Sequence, residues 1–389
     1  MSRETKIVIA AGGTAGHVVP ALAVAGALRA EGAEVAFIGG GRAEAELVPA
    51  AGYELRQIAV EGMSRTNPLH AARALWRAGV EFLRARSLLK EMKPDSVMGG
   101  GGYVAGPEGL AAVTLRIPLV LTEADSHLGL TNRVLARAAR RVCLAFPLAG
   151  REDRSEIGQR YRVTGRPGPP AQADRAGARA RLGLPAAGDC VLVFGGSLGA
   201  RSINLAAVEA FGGRMPTGTT SVGATAPLPV AAEEAASSAV RCEGTHVLHV
   251  TGRRDYPELA ARDLPKGYDL REYLDLKAFS DALAAADLVV ARAGGSVFEI
   301  AASGTPAILV PYPHASADHQ TANARWMADA GAAVVIADGE LDGARLARKV
   351  AELLADRERL AAMASASQGL ARPDAAKDIA DELLQAARA

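Results

Sequence analysis

No stretch of this 389-residue chain holds the roughly 18–20 consecutive apolar residues that a membrane-spanning helix needs. The first apolar run, Ile7 to Ala11, is broken at once by Gly12 and Gly13, so a secretory signal is not expected either. Cysteine is scarce: Cys143, Cys190 and Cys242 are odd in number and widely spaced. They suit neither a disulfide framework nor a zinc site, and a reducing, cytoplasmic setting is the expectation. Net charge is nearly absent, with 44 Lys/Arg against 43 Asp/Glu, which argues against a nucleic-acid binder. The sum hides an asymmetry, because residues up to Gly165 hold 21 basic against 16 acidic groups and the remainder 23 against 27. A G-x-x-x-x-G-K-[ST] loop is missing, as is any Asp-x-Asp pair of the kind that bridges a diphosphate through a metal. Aromatics are only 4 % and charged residues 22 %, against 49 % hydrophobic, a balance that excludes disordered and fibrous chains.

What the chain does have is glycine, 42 residues, placed after short apolar runs. Ile7–Ala10, Glu34–Ile38, Leu55–Val60, Ser96–Met98, Leu119–Thr122 and Val142–Leu144 read as buried parallel strands, with helical patterns between them. Val18–Ala30 is the first such helix. A Gly/Pro stretch, Thr164 to Pro170, is the expected linker. A second alternation follows, with strands at Val191–Phe194, Val247–Val250, Leu288–Ala291 and Ala307–Val310 and an amphipathic helix at Asp374–Ala387. Two doubly wound α/β domains are expected, 1–165 and 166–370, the final helix 371–389 packing back on the first. Residues 212–244, rich in Gly, Thr, Ser, Pro and Ala without periodicity, read as a long flexible insert.

Three glycine loops follow strands: Gly12-Gly13-Thr14-Ala15-Gly16-His17, Gly99-Gly100-Gly101-Gly102-Tyr103 and Gly195-Gly196-Ser197-Leu198-Gly199-Ala200. Backbone amides at such helix starts favour anions. The first loop lacks G-x-G-x-x-G spacing, and the second strand runs into Gly39-Gly40 with no acid to hold a ribose, so a nicotinamide site fits poorly. The third, with its Ser hydroxyl, is the better diphosphate cradle. Ala293-Gly294-Gly295-Ser296-Val297-Phe298-Glu299 adds a carboxylate one turn into another Gly-opened helix. Gln320 and Asn323, three apart, share a helix face suited to sugar hydroxyls. Together these describe a nucleotide-sugar site in a cleft between two Rossmann-like halves.

With Pro20-Ala21-Leu22-Ala23 and Tyr103-Val104-Ala105-Gly106-Pro107, these motifs resemble in order those of the MurG family over about residues 6–370, the insert at 212–244 excepted. That family comprises bacterial N-acetylglucosaminyltransferases that make the lipid-linked disaccharide of peptidoglycan. The resemblance implies the GT-B fold and inverting, metal-free, cofactor-free transfer of GlcNAc from UDP-GlcNAc to a polyprenyl-diphosphate-linked MurNAc-pentapeptide. It implies that His17 is the loop histidine that serves as general base or acceptor-site residue; Asp125 and His127, in the altered acceptor loop, could share or take over the base role. Ser197, Leu274, Glu299 and Gln320 are implied on the donor side, where Thr14, Gly16, Arg166, Gly196, Gly295, Ser296 and Asn323 are also expected. Gly102, Tyr103, Glu123 and Asn132 are implied on the acceptor side. The chain departs from the family pattern at Ala15, at Thr122-Glu123-Ala124-Asp125, and at Arg166-Pro167-Gly168-Pro169, where Asn-Pro-x-Arg is usual.

From the residues alone, Arg166 reads equally as a linker ion-pair partner or a phosphate ligand. The segment Leu69–Lys93 is amphipathic and basic, either an ordinary core face or a face for an anionic membrane. Two other functions stay open: a UDP-sugar transferase or epimerase of the same architecture acting on another substrate, and a non-catalytic nucleotide-sugar-binding relative.

Overall fold

The computed structural model describes residues 4–13, 15–59, 68–101, 105–147, 160–168, 171–196, 199–212, 245–315 and 318–388. It divides into two compact units, Met1–Pro169 with Arg372–Ala389, and Pro170–Ala371. The first unit runs past Gly165, so Arg166, expected on the donor side, belongs to it.

The first unit begins β1 (Lys6–Ala10), α1 (Ala15–Ala30), β2 (Glu34–Gly39), α2 (Ala43–Ala50), β3 (Glu54–Gln57) and α3 (Pro68–Met92). It continues β4 (Ser96–Gly99), α4 (Ala105–Thr114), β5 (Leu119–Glu123), α5 (Leu130–Leu135), β6 (Arg141–Leu144) and β7 (Tyr161–Val163). The strands form one parallel sheet in the order β3-β2-β1-β4-β5-β6-β7. Successive strand residues face opposite sides. Ile7, Ile9, Phe37, Met98 and Val120 therefore join one core with α1, while Val8, Ile38, Val97, Leu119 and Leu121 join another with α3 and α4. Burial on both faces explains why these strands read as continuous apolar runs.

The second unit holds α6 (Arg175–Leu182), β8 (Asp189–Phe194), α7 (Arg201–Phe211), β9 (Thr245–Val250), α8 (Tyr256–Ala260), β10 (Tyr268–Arg271) and α9 (Leu276–Ala285). Then come β11 (Leu288–Ala291), α10 (Val297–Ser303), β12 (Ala307–Leu309), α11 (His319–Asp329), β13 (Ala333–Val335), α12 (Gly343–Ala355) and α13 (Arg357–Gly369). Its sheet is also parallel, ordered β10-β9-β8-β11-β12-β13. Asp174, Asp275, Asp342 and Asp356 each accept the amide three residues on, N-capping four of these helices.

The last helix, α14 (Ala375–Ala387), returns to the first unit. Ile379, Ala380, Leu383 and Ala386, at helical spacing, bury against Val18, Ala21 and Val24 of α1. Its buried Glu382 pairs with Arg141 at 2.9 Å and Arg162 at 2.7 Å.

β7, β10 and β13 are not among the strands expected from sequence. Each is a sheet edge, short and only partly buried, so it lacks the apolar run that marks its neighbours. The strand expected at Leu55–Val60 is Glu54–Gln57, and α1 starts at Ala15 rather than Val18. Residues 213–244 lie outside the described residues.

Candidate functional site

In a doubly wound sheet ligands bind beyond the carboxyl ends of the strands where the order reverses. In the first unit that point lies between β1 and β4, where Ala11–Gly13 and Gly100–Gly101 emerge side by side. The Gly100 amide donates to the Ala10 carbonyl at 2.7 Å and ties the two turns together. Glu44, in the first turn of α2 and fully buried, accepts from the Gly13 amide at 2.9 Å and the Gly40 amide at 2.8 Å. One carboxylate thus holds the loops after both β1 and β2.

His17 sits half-buried in the first turn of α1, against Gly101, where an added Cβ would stand 3.7 Å from Cδ2 of the ring. Burial lowers its pKa below the ordinary histidine value, the Arg166 cation lowers it further, and Asp125 and Glu44 act in the opposite direction. The ring is therefore neutral near pH 7 and can accept a proton. Gly16, His17, Glu123, Gly165 and Arg166 line one small cavity of about 30 Å³, space for about one water.

Glu123, the last residue of β5, is buried and organises the loop that follows. Its Oε2 accepts from the Gly129 amide at 2.8 Å and from Asn132 Nδ2 at 2.9 Å, and its Oε1 from the Asp125 amide at 3.3 Å. Burial nevertheless raises its pKa. Asn132 is itself buried and also donates to the Thr122 carbonyl at 2.9 Å, so it frames the loop from inside. Asp125 and His127 lie half-buried within that loop.

In the second unit the reversal lies between β8 and β11, whose ends Phe194 and Ala291 are register partners. Gly196 is exposed at the turn after β8. Gly199 closes that turn with φ +81°, its amide donating to the Gly196 carbonyl at 2.9 Å. A side chain there would drive into the Thr251 carbonyl at the end of β9. α7 then opens on Ala200 with no side-chain cap, leaving its first amides for another partner.

Gly295 and Ser296 form the turn into α10, and Glu299 is half-buried in its first turn. Gln320 Oε1 accepts from the Tyr312 amide at 2.9 Å, which fixes its carboxamide. Asn323, 1 % exposed, donates from Nδ2 to the Ala293 carbonyl at 3.0 Å and so supports the Gly294–Ser296 turn from beneath. Leu274 is half-buried beyond the end of β10. Thr14, Gly102, Tyr103 and Ser197 lie outside the described residues.

Two further residues shape these edges and escape sequence reasoning. Glu44 is one. The other is Arg292, buried at the end of β11, which donates to the Val310 and Pro311 carbonyls at 3.1 and 3.2 Å and to Ser202 Oγ at 2.8 Å. It also pairs with Asp338 at 2.5 Å, joining four segments of the second unit. An arginine between two alanines at a buried strand end is the one signal that marks it. Among the described residues no group of three His, Cys, Asp or Glu side chains could hold a metal ion.

Known proteins match along the whole chain. Residues 7–144 match the glycosyltransferase family 28 N-terminal domain, and residues 190–379 its C-terminal domain. The UDP-N-acetylglucosamine--N-acetylmuramyl-(pentapeptide) pyrophosphoryl-undecaprenol N-acetylglucosamine transferase of Moorella thermoacetica is 41 % identical, covering 98 % of both chains. That of Methylococcus capsulatus is 40 % identical over 99 % of each. Among solved structures, Acinetobacter baumannii MurG superposes with a TM-score of 0.69 at 27 % identity, covering 98 % of this chain and all (100 %) of that one. The UDP-GlcNAc 2-epimerase of Neisseria meningitidis reaches 0.63 at 13 % identity, covering 98 % of this chain and 100 % of that one, a likeness of fold alone. The two doubly wound units are thus of the GT-B type, and the chain belongs to glycosyltransferase family 28, in the MurG family.

Proposed function

We propose that this protein transfers GlcNAc from UDP-GlcNAc to the 4-hydroxyl of undecaprenyl-diphospho-MurNAc-pentapeptide, lipid I to lipid II of peptidoglycan synthesis. The observation that carries this reading is a match to such transferases that covers 98 % of the chain and both units.

The neutral imidazole of His17 takes the proton of the acceptor hydroxyl as its oxygen attacks the anomeric carbon. The bond to the diphosphate breaks on the opposite face, so the sugar inverts and UDP leaves. Negative charge then grows on the diphosphate, and the Gly195–Ala200 turn with the uncapped start of α7 stabilises it. Gly196 and Ser197 are assigned to that cradle. Glu299 accepts from the ribose hydroxyls and backbone at Leu274 reads the uracil. Gln320 presents its Nε2 to the sugar, since its oxygen is already taken by Tyr312. Asn323 acts by holding the Gly295–Ser296 turn. Gly102, Tyr103 and the Glu123–Asn132 loop meet the acceptor, where Asp125 and His127 can assist His17.

The lipid acceptor requires a membrane, and no described helix is long and apolar enough to cross one. Peripheral attachment at the cytoplasmic face is the reading. Helices α3, α4 and α5 adjoin and leave Leu83, Leu110, Leu130 and Val134 exposed. Arg116, Arg137, Arg140 and Arg160 line an open cavity of about 970 Å³ near them. Apolar tips beside arginines suit an anionic bilayer.

The test is transfer of labelled GlcNAc to lipid-linked MurNAc-pentapeptide, with and without chelator. Transfer is expected in both, with His17→Ala lowering kcat by about 10²–10⁴ and Glu299→Ala raising the donor KM. Loss of activity on chelation would sink the metal-free mechanism, and a near-normal His17→Ala enzyme would remove His17 as the base.

A further inference from the structure

Pro20 lies inside α1, where it has no N–H to give to the carbonyl four residues before it, that of Gly16. Gly16 directly precedes His17, so the missing hydrogen bond falls in the turn that carries the imidazole. Another group fills the vacancy. Arg166 Nη2 donates to the Gly16 carbonyl at 2.6 Å, across 150 positions of sequence.

The backbone around Arg166 is built for this contact. Gly165 has φ +83°, and the Arg372 side chain packs against its Cα so closely that no Cβ would fit. The amides of Thr164 and Gly165 both donate to the Leu144 carbonyl, at 3.0 and 3.1 Å, anchoring the segment to the end of β6. Pro167, buried on the other side, confines Arg166 to extended backbone. The guanidinium is thereby brought to the cavity that His17, Thr122 and Glu123 also line.

We propose that Arg166 is a positioning residue of the transfer reaction, clamping the Gly16 carbonyl so that His17 stands at the cavity beside a fixed positive charge. This rests on the reading of His17 as the base. It takes Arg166 away from the donor diphosphate and gives this chain's departure from Asn-Pro-x-Arg a role of its own. The clamp supplies the hydrogen bond that Pro20 cannot, and the cation favours the unprotonated imidazole, the form that accepts a proton. Arg166 and burial both lower the His17 pKa. Of the other charged groups around the ring, Asp125 after β5 and Glu44 on α2 raise it. Glu44 is held by two loop amides, and Glu123, which lines the cavity, is engaged by Gly129, Asn132 and the Asp125 amide.

The experiment is the pH profile of kcat/KM for transfer to the lipid acceptor, for the wild type, Arg166→Gln, Arg166→Lys, and His17→Ala. Arg166→Gln should move the acidic limb up by about one pH unit, the scale of one nearby charge. Its activity at pH 6 then falls severalfold more than at pH 8.5, approaching tenfold only at pH values well below the limb, while Arg166→Lys largely restores the limb. An Arg166→Gln enzyme slower at every pH by one factor, with the limb unmoved, would overturn the proposal and leave His17 as the base. If His17→Ala retains the acidic limb, the failure lies in the reading of His17 instead. Circular dichroism and the affinity for UDP, checked on each variant, separate misfolding from both outcomes.

Discussion

Glu44→Gln is the substitution that tests how the first loop is held. The side chain is fully buried and keeps nearly the same shape as an amide, so packing is conserved while the chemistry changes. Both carboxylate oxygens are in use, one toward Gly13 and one toward Gly40. Glutamine can serve one of these amides, but its NH2 then faces the other N–H, and two donors meet in a buried site. A hydrogen bond to a charged acceptor contributes about 1.5–3 kcal/mol, and an unsatisfied buried amide costs about 1–3 kcal/mol. A net loss of about 2–4 kcal/mol follows, which at about 2–4 °C per kcal/mol lowers the unfolding temperature of the first unit by about 4–16 °C. The turn before His17 also loosens, so kcat falls while UDP, a ligand of the other unit, binds as before. Thermal unfolding and isothermal titration with UDP measure the two effects. A variant within about 0.5 kcal/mol of wild type, the range of an inert surface change, with unchanged kcat would refute the view that Glu44 organises this loop.

Other outcomes follow from the same geometry. Gly199→Ala must place a side chain at φ +81° and against the Thr251 carbonyl. Strain of about 1–3 kcal/mol should weaken UDP binding about five- to 150-fold, and unchanged affinity by titration calorimetry would exclude the turn as a diphosphate cradle. His249, fully buried between Tyr268 and Asn204, has its pKa pushed by burial from 6.5 down to about 4. The folded state thus binds fewer protons than the unfolded one in that window, so stability is complete above about pH 6.5 and declines toward pH 4 by up to about 3 kcal/mol. Urea midpoints at pH 7 and 4.5 should differ less in His249→Gln than in wild type; equal slopes would count against a neutral buried imidazole. Leu83→Glu, on a side chain 64 % exposed, should cut sedimentation with phosphatidylglycerol vesicles severalfold without altering unfolding. Undiminished binding would move the membrane face away from α3.

The central strands were legible because burial on both faces leaves a run such as Ile7–Ala10 or Leu288–Ala291 no polar residue. β10, Tyr-Asp-Leu-Arg, carries no such mark because an edge strand keeps its polar side chains half in water. Glycine loops were legible for a related reason: a turn that approaches another backbone excludes side chains, and the sequence records the exclusion. The partners of those loops were not. Glu44 reads as an ordinary acid opening a helix, and only the fold shows that it answers amides from the loops after two strands. Asn323 was readable as a polar residue on the face of Gln320, yet its depth was not, and depth decides whether it meets a sugar or a carbonyl. Arg166 was ambiguous in sequence between linker and phosphate, because Pro20 and Gly16, which decide its place, lie 150 positions away from it.

Product identity is the decisive measurement for lipid I to lipid II transfer by this protein. The protein is incubated with UDP-GlcNAc labelled in the sugar and with polyprenyl-diphospho-MurNAc-pentapeptide, and the lipid fraction is separated and its sugar released. Label is expected in a lipid-linked disaccharide, joined by an inverted linkage to the MurNAc 4-hydroxyl, with no change in the donor when acceptor is omitted. Label remaining wholly in the nucleotide, or a donor isomerised without acceptor, would contradict that transfer.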